Sequence, residues 1–86
     1  MPQILYKPRF VREYRKLPEP LRQEVRDKIA AFQKNPEDLS LRLHKLKDKL
    51  RGFSSFSVNY RYRIVCEWAG KNAVRFLMVG DHAVYD

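Results

Sequence analysis

Residues 42–68 read Arg42-Leu-His-Lys-Leu-Lys-Asp-Lys-Leu-Arg-Gly-Phe-Ser-Ser-Phe-Ser-Val-Asn-Tyr-Arg-Tyr-Arg-Ile-Val-Cys-Glu-Trp68, and they decide both the fold and the candidate site. The stretch opens with a basic run, passes Gly52 and continues into two segments in which apolar and polar residues alternate. Such alternation predicts half-buried strands. The first segment places Phe56, Val58 and Tyr60 on one face. The second has an apolar face and an arginine-bearing face, formed by Tyr62, Ile64, Cys66 and Trp68 and by Arg61, Arg63, Val65 and Glu67.

The residues before this stretch predict a short strand and a helical hairpin. Residues 3–7 form the strand candidate, and Pro8 suits the first position of a helix whose apolar residues recur at helical spacing. Pro18 ends that helix and Pro20 opens a second one. The pair Asn35-Pro36 stops the second helix, because a residue before proline avoids the helical region. The short connection makes the two helices antiparallel neighbours.

The residues after this stretch predict a turn at 70–72, a nearly continuous apolar strand at 73–79 and a short tail. A strand of that kind lies inside a sheet and is covered on both faces. The order is therefore β-α-α-β-β-β. We expect an α+β fold in which an antiparallel sheet, made of the N-terminal strand and a C-terminal three-strand meander, carries the helical hairpin on one face. Residues 1–86 should form a single domain.

Charge points to an anionic partner. The chain has 18 Lys and Arg against 10 Asp and Glu, a net charge of +8. Because the basic residues cluster, nucleic acid is favoured, although an acidic protein or a merely solvated basic surface would also fit. Cys66 alone gives no disulfide framework. The N-terminus lacks a secretory signal and no apolar run is long enough for a membrane span, so a cytoplasmic protein is expected.

The residues that could carry chemistry contain no metal or cofactor motif. His44, Cys66 and His82 lack ligand spacing, and Cys66 falls on an apolar strand face. What remains suits cleavage of RNA by its own 2′-hydroxyl, since histidine can exchange protons near neutral pH and arginine binds phosphate. The set is His44, Lys45, Lys47, Arg51, Arg61, Arg63, His82 and Tyr85. Simpler interpretations exist for each member; for example, Arg61 or Arg63 could pair with Glu67.

Three segments together resemble a known group of proteins. They are His44-Lys-Leu-Lys continuing to Leu50-Arg-Gly-Phe53, then Tyr60-Arg-Tyr-Arg-Ile-Val65, then Val79-Gly-Asp-His-Ala-Val-Tyr85. This pattern resembles the RelE/ParE superfamily of toxins from type II toxin–antitoxin pairs, and within it the RelE-like branch. The resemblance covers nearly the whole chain. It implies a ribosome-dependent, metal-independent endoribonuclease that cleaves mRNA in the A site, needs no cofactor and is neutralised by a cognate antitoxin.

The resemblance also implies roles for individual residues. Arg63 matches the strand arginine that holds the scissile phosphate, and His82 occupies the position of a catalytic residue after the last strand. Tyr85 matches a C-terminal tyrosine that stacks on a base or assists proton transfer, and His44 matches a histidine of YafQ-like members. Between the two histidines, His82 is the preferred general base. The remaining members of the set would grip the RNA: Lys45, Lys47, Arg51 and Arg61.

The chain departs from the pattern in ways that keep two other functions open. Ser55 and Ser57 stand where RelE carries lysines, Ser57 and Arg61 stand where YafQ-like members carry a histidine and an aspartate, and a YoeB-like glutamate is not identifiable. The first alternative is a ParE-like inhibitor of DNA gyrase that has no enzymatic activity. The second is a catalytically weakened module that binds RNA or the antitoxin.

Overall fold

A computed structural model of the chain describes residues 2–81. His82 and Tyr85 lie outside the described residues. The two helices of the described chain are α1, Pro8–Arg15, and α2, Glu19–Lys34. Pro8 takes the first helical position, where its missing N–H has no partner to lose. Pro18 is extended and separates the helices, and extended Asn35 ends α2 as its position before a proline predicted. No helix in residues 2–81 is long and apolar enough to cross a membrane.

Residues 2–81 also form a five-stranded sheet in the order β1-β5-β4-β3-β2. The strands are β1, Gln3–Tyr6; β2, His44–Lys45; β3, Ser54–Ser57; β4, Arg63–Trp68; and β5, Ala73–Gly80. Strands β2 to β5 form an antiparallel meander, whereas β1 runs parallel to β5. The sheet is therefore mixed. The expectation that it is antiparallel throughout is wrong for the pair β1 and β5. A tight turn makes neighbouring strands antiparallel, but the chain leaves β1 through the helices and reaches β5 only at the end of the meander.

An aromatic core joins the helices to one face of the sheet. The Phe32 ring of α2 stacks on Phe56 with centroids 4.6 Å apart, and its centroid lies 5.5 Å from that of Phe76. Phe10 of α1 reaches the same Phe76 ring at 5.6 Å. Val25 and Ile64 are fully buried in this cluster. The α+β class, with the helical hairpin on one face of the sheet, is confirmed.

The strand register defines what the opposite surface of the sheet carries. Phe56 and Ile64 are Cα partners and lie in the core, so the residues next to them in sequence lie on the other side. We call that surface the far face. Following the register across the strands, it carries two rows, His44–Ser55–Val65–Met78 and Ser57–Arg63–Gly80. His44 and Arg63 therefore share a face of the sheet.

The hairpin between β3 and β4 differs from its prediction. Tyr60, expected on the buried face with Phe56 and Val58, is 92% exposed. The cause is Asn59, whose side-chain oxygen accepts hydrogen bonds from the backbone N–H groups of Arg61 and Tyr62 at 2.9 and 2.8 Å and holds a turn. Strand β4 consequently begins at Arg63 and not at residue 61.

Candidate nucleic-acid interface

Arg63 is a cation held in place by a neighbouring strand on each side. It is half-buried at the start of β4, with Ser57 and Gly80 as its partners in the neighbouring strands. Its Nε is buried and has no hydrogen-bond partner in the part of the chain that the structure describes. Within residues 2–81 its guanidinium also forms no ion pair. A buried donor of this kind is unfavourable until an acceptor arrives, and a phosphate oxygen is a suitable one.

His44 lies on the same face with its ring oriented by the backbone. Its Nδ1 is 2.9 Å from the carbonyl oxygen of Arg42. Since a carbonyl oxygen only accepts, Nδ1 carries the proton in this hydrogen bond, and the neutral ring keeps Nε2 as its basic nitrogen. The side chain is exposed on the short edge strand β2. His44 can therefore accept a proton from a substrate that reaches the far face.

A pocket of about 280 Å³ opens beside Arg63. It lies where the β3–β4 hairpin meets α2 and the short 3-10 turn Leu39–Leu41. Two further cationic residues, Lys28 of α2 and Arg42, line it together with polar residues and Tyr60. Lys28, Arg42 and Tyr60 were absent from the set of site residues expected from the sequence. They lie in three separate segments, and no spacing signal links such positions before the fold is known.

The basic run is divided between two places. By register, Lys45 faces the side opposite His44, and it lines a separate pocket of about 350 Å³ with Arg51 and the half-exposed Trp68. Lys47 is exposed just before the 3-10 turn Asp48–Leu50. The structure thus brings His44 and Arg63 to one face but places Lys45 and Arg51 around a different pocket.

The alternative in which Arg61 or Arg63 pairs with Glu67 does not hold among the described residues. Glu67 accepts from Arg75, with Nη1 and Oε1 3.3 Å apart. Arg61 lies 3.7 Å from an Asp81 carboxylate oxygen, and its guanidinium carbon is 5.7 Å from the centre of the Tyr62 ring. Arg61 is therefore partly neutralised within the protein, in contrast to Arg63.

Ser55, Ser57 and Cys66 differ in how far their strands bury them. Ser55, in the row with His44, is fully buried, whereas Ser57 lines the pocket beside Arg63. Of the two serines that the resemblance aligns with lysines of RelE, Ser57 is therefore the one that lines this pocket. Cys66 lies in the core, as expected, and burial raises the pKa of its thiol to about 12. A neutral, buried thiol is a poor nucleophile.

The fold defined by these elements is that of the YoeB, ParE and YafQ toxins. No protein-family model matches the chain. No curated protein matches it in sequence. The similarity is to solved structures, and it confirms the RelE-like fold that the sequence resemblance implied.

Three solved structures illustrate the similarity. YafQ from E. coli strain BL21(DE3) matches with a TM-score of 0.80 at 16% identity, over 99% of this chain and 98% of that one. A YoeB/ParE toxin from Agrobacterium tumefaciens matches at 0.77 and 14% identity, over 93% and 98%. The E. coli DinJ–YafQ toxin–antitoxin complex matches at 0.76 and 15% identity, over 96% and 94%. Identity this low establishes the fold alone.

Proposed function

We propose that this chain, as a single domain, is the toxin of a type II toxin–antitoxin pair and acts in the cytoplasm as a ribosome-dependent endoribonuclease that needs no metal. The observation that carries the proposal is the guanidinium of Arg63. Its Nε is buried and has no hydrogen-bond partner within the described range. Arg63 shares a sheet face with His44, whose Nε2 is available for proton transfer. An unpaired cation and an oriented imidazole on one face of a sheet suit attack on a phosphodiester bond.

In the proposed reaction a ribose 2′-oxygen attacks the adjacent phosphorus. A general base removes the 2′-hydroxyl proton, the new P–O2′ bond forms, and the P–O5′ bond breaks. An acid then protonates the departing 5′-oxygen, which leaves a 2′,3′-cyclic phosphate. Arg63 would hold the phosphate oxygens as negative charge develops on them.

Two histidines divide the proton transfers in this proposal. His82 follows Gly80, the β5 partner of Arg63, by two residues in the sequence, and it is the preferred base by resemblance. His44 is then the second proton-transfer group. It lies two strands from Arg63, about 10 Å across the sheet at the usual strand spacing, and about 7 Å further along the strands because the two residues are in different rows. Tyr85 would stack on a base or assist proton transfer, and Lys45, Lys47, Arg51 and Arg61 would contact the RNA backbone.

The partners belong to the same proposal. E. coli YafQ has been solved in a toxin–antitoxin complex with DinJ. We infer that this chain likewise binds a cognate antitoxin, whose acidic or polar groups would cover part of a surface with net charge +8. Such a partner would also stabilise a small domain by mass action. The other partners are the ribosome and the mRNA in its A site.

A translation extract tests the enzymatic part of this proposal. Wild-type protein should cleave mRNA only when ribosomes are present, and primer extension should map the new ends. Arg63→Ala and His82→Ala should abolish the cuts, while Lys71→Ala, an exposed cation in the β4–β5 turn, should cut normally. Normal cleavage by both site variants would refute the assignment. Inhibition of gyrase supercoiling with intact translation would establish the ParE-like alternative instead.

A further inference from the structure

The pocket beside Arg63 brings together three cations that form no ion pair among the described residues. Lys28, Arg42 and Arg63 line it, and within residues 2–81 none of them forms an ion pair. By contrast, Arg9, Arg22, Arg26, Arg61 and Arg75 are each paired with a carboxylate. Three unpaired cations around one concave space attract an anion more strongly than scattered surface charges.

The two carboxylates that flank Lys28 are engaged elsewhere. Asp38 accepts hydrogen bonds from the backbone N–H and the hydroxyl of Ser40 at 2.9 and 2.8 Å, and these bonds and the nearby Lys28 lower its pKa. Glu24, one helical turn before Lys28, accepts from the side-chain amide of Asn59 at 2.7 Å. Both acids reduce the local positive charge, but neither occupies the pocket as an ion-pair partner.

Tyr60 adds an aromatic surface at the edge of this pocket. The turn that carries it is fixed by the Asn59 side chain, by a backbone hydrogen bond of 2.9 Å from Val58 to Tyr62, and by the contact of Asn59 with Glu24. Tyr60 is 92% exposed, although tyrosine is a residue type of intermediate burial. A rigidly mounted, solvent-facing ring suits stacking on a nucleobase.

We propose that Lys28, Arg42 and Tyr60 form a nucleotide subsite next to Arg63, in which the two cations bind a neighbouring phosphate of single-stranded RNA and Tyr60 stacks on its base. The subsite rests on the proposed function only in taking the phosphate at Arg63 as the scissile one. RNA explains both halves of the arrangement, since a phosphate fits the cations and a base fits the ring. An acidic peptide would account for the cations and leave the exposed ring without a role.

Fluorescence anisotropy with a labelled 2′-O-methyl hexanucleotide tests the subsite, because the blocked 2′-oxygen prevents cleavage. The test protein is Lys28→Gln combined with Arg42→Gly. Arg42 has φ +52°, a left-handed conformation that glycine adopts without strain, so the fold should survive. Loss of one charged contact weakens binding about tenfold, so the double variant should bind about 100-fold more weakly. The slope of log K against log salt should fall by about 1.4.

The matched control combines Lys71→Gln with Arg15→Gln. It also removes two positive charges, but from exposed positions outside the pocket, so it reports only the effect of the long-range electrostatic field. Its affinity for the hexanucleotide should fall only a few-fold. Tyr60→Ser should weaken binding at least about fivefold, whereas Tyr60→Phe should bind like wild type. Lys28→Arg, which keeps the charge, should retain binding.

The outcomes separate the subsite from the proposed function. If the pocket variant and the control bind RNA equally well, the subsite is wrong even when wild-type protein cleaves mRNA on ribosomes. If the pocket variant no longer binds RNA and the wild-type protein cuts no mRNA, the subsite is supported as an RNA-binding site and the nuclease proposal fails. If the pocket variant still binds RNA but no longer binds a polyglutamate peptide that the control binds, the pocket is a site for an acidic protein and the subsite is overturned.

Discussion

Replacement of Arg63 by Met should make the free protein more stable and inactive. The buried Nε of Arg63 has no hydrogen-bond partner among residues 2–81, and such a donor costs roughly 1–3 kcal/mol. Met retains an unbranched apolar stem and removes the polar head. Because Arg63 is only half-buried, part of its guanidinium remains solvated, and we expect the lower end, about 1 kcal/mol of added stability. In a domain of this size that corresponds to an increase in Tm of about 4–8 °C.

Arg75→Met provides the matched control. Arg75 lies on the same face, in β5, but its guanidinium is 3.3 Å from Glu67, and the two side chains are 40% and 37% exposed. An ion pair that is so exposed to solvent contributes at most about 1 kcal/mol. Arg75→Met should therefore leave the free energy of unfolding unchanged or lower it slightly. Urea denaturation of both variants, with the slope m compared, measures the difference.

Two results would refute the reasoning on Arg63. If Arg63→Met is less stable than Arg75→Met, the unpartnered Nε is not a cost to the native state. If Arg63→Met is more stable but cleaves mRNA on ribosomes at the wild-type rate, Arg63 does not hold the reacting phosphate. The expected combination, higher stability with lost cleavage, is the trade-off that a preorganised anion site produces.

Three further predictions concern the proton-transfer group, the thiol and the core. His44→Ala should slow cleavage by about 10²–10⁴-fold, measured by primer extension, while the unfolding midpoint stays unchanged because the side chain is exposed. Cys66 should resist a thiol reagent at pH 8 until the protein is denatured. Its folded pKa of about 12 lies above the ordinary 9.0, so the unfolded thiol releases its proton first and stability should fall as pH rises between these values. Phe32→Ala, which leaves a cavity against Phe56 and Phe76, should lower the free energy of unfolding by about 3–5 kcal/mol.

The sequence predicts the elements of this fold wherever a local rule decides the backbone. Proline positions bound both helices, and alternation marks the interior strands, because these signals act within a few residues. The parallel pairing of β1 with β5 is beyond such rules, since it joins residues about 70 positions apart and depends on where the meander ends. Strand β2 has two residues, too few for any periodicity to detect.

The site is predictable from the sequence to a smaller extent. Arg63 stands out because it occupies a polar position on an apolar strand, and the register explains how His44 reaches the same face. Lys28 gives no such signal, since an exposed lysine on a helix is ordinary. The prediction for Tyr60 is wrong, because the alternation of apolar and polar residues continues through it although Asn59 has already begun the turn. These residues are assigned to the site by their proximity in the folded chain, and the amino-acid sequence alone does not indicate it.

Arg42 connects the two parts of the site. Its carbonyl oxygen accepts from the His44 ring, while its side chain lines the pocket with Lys28. The left-handed backbone at φ +52° disfavours a residue with a Cβ by roughly 1–2 kcal/mol, and it occurs where the 3-10 turn passes into β2. The protein therefore carries a backbone cost at Arg42 and a desolvation cost at Arg63, both beside the same pocket. A bound phosphate would offset the second cost by supplying an acceptor. The first cost is the same in the free and the bound folded protein, and it accompanies the backbone conformation from which the Arg42 carbonyl oxygen accepts from the His44 ring.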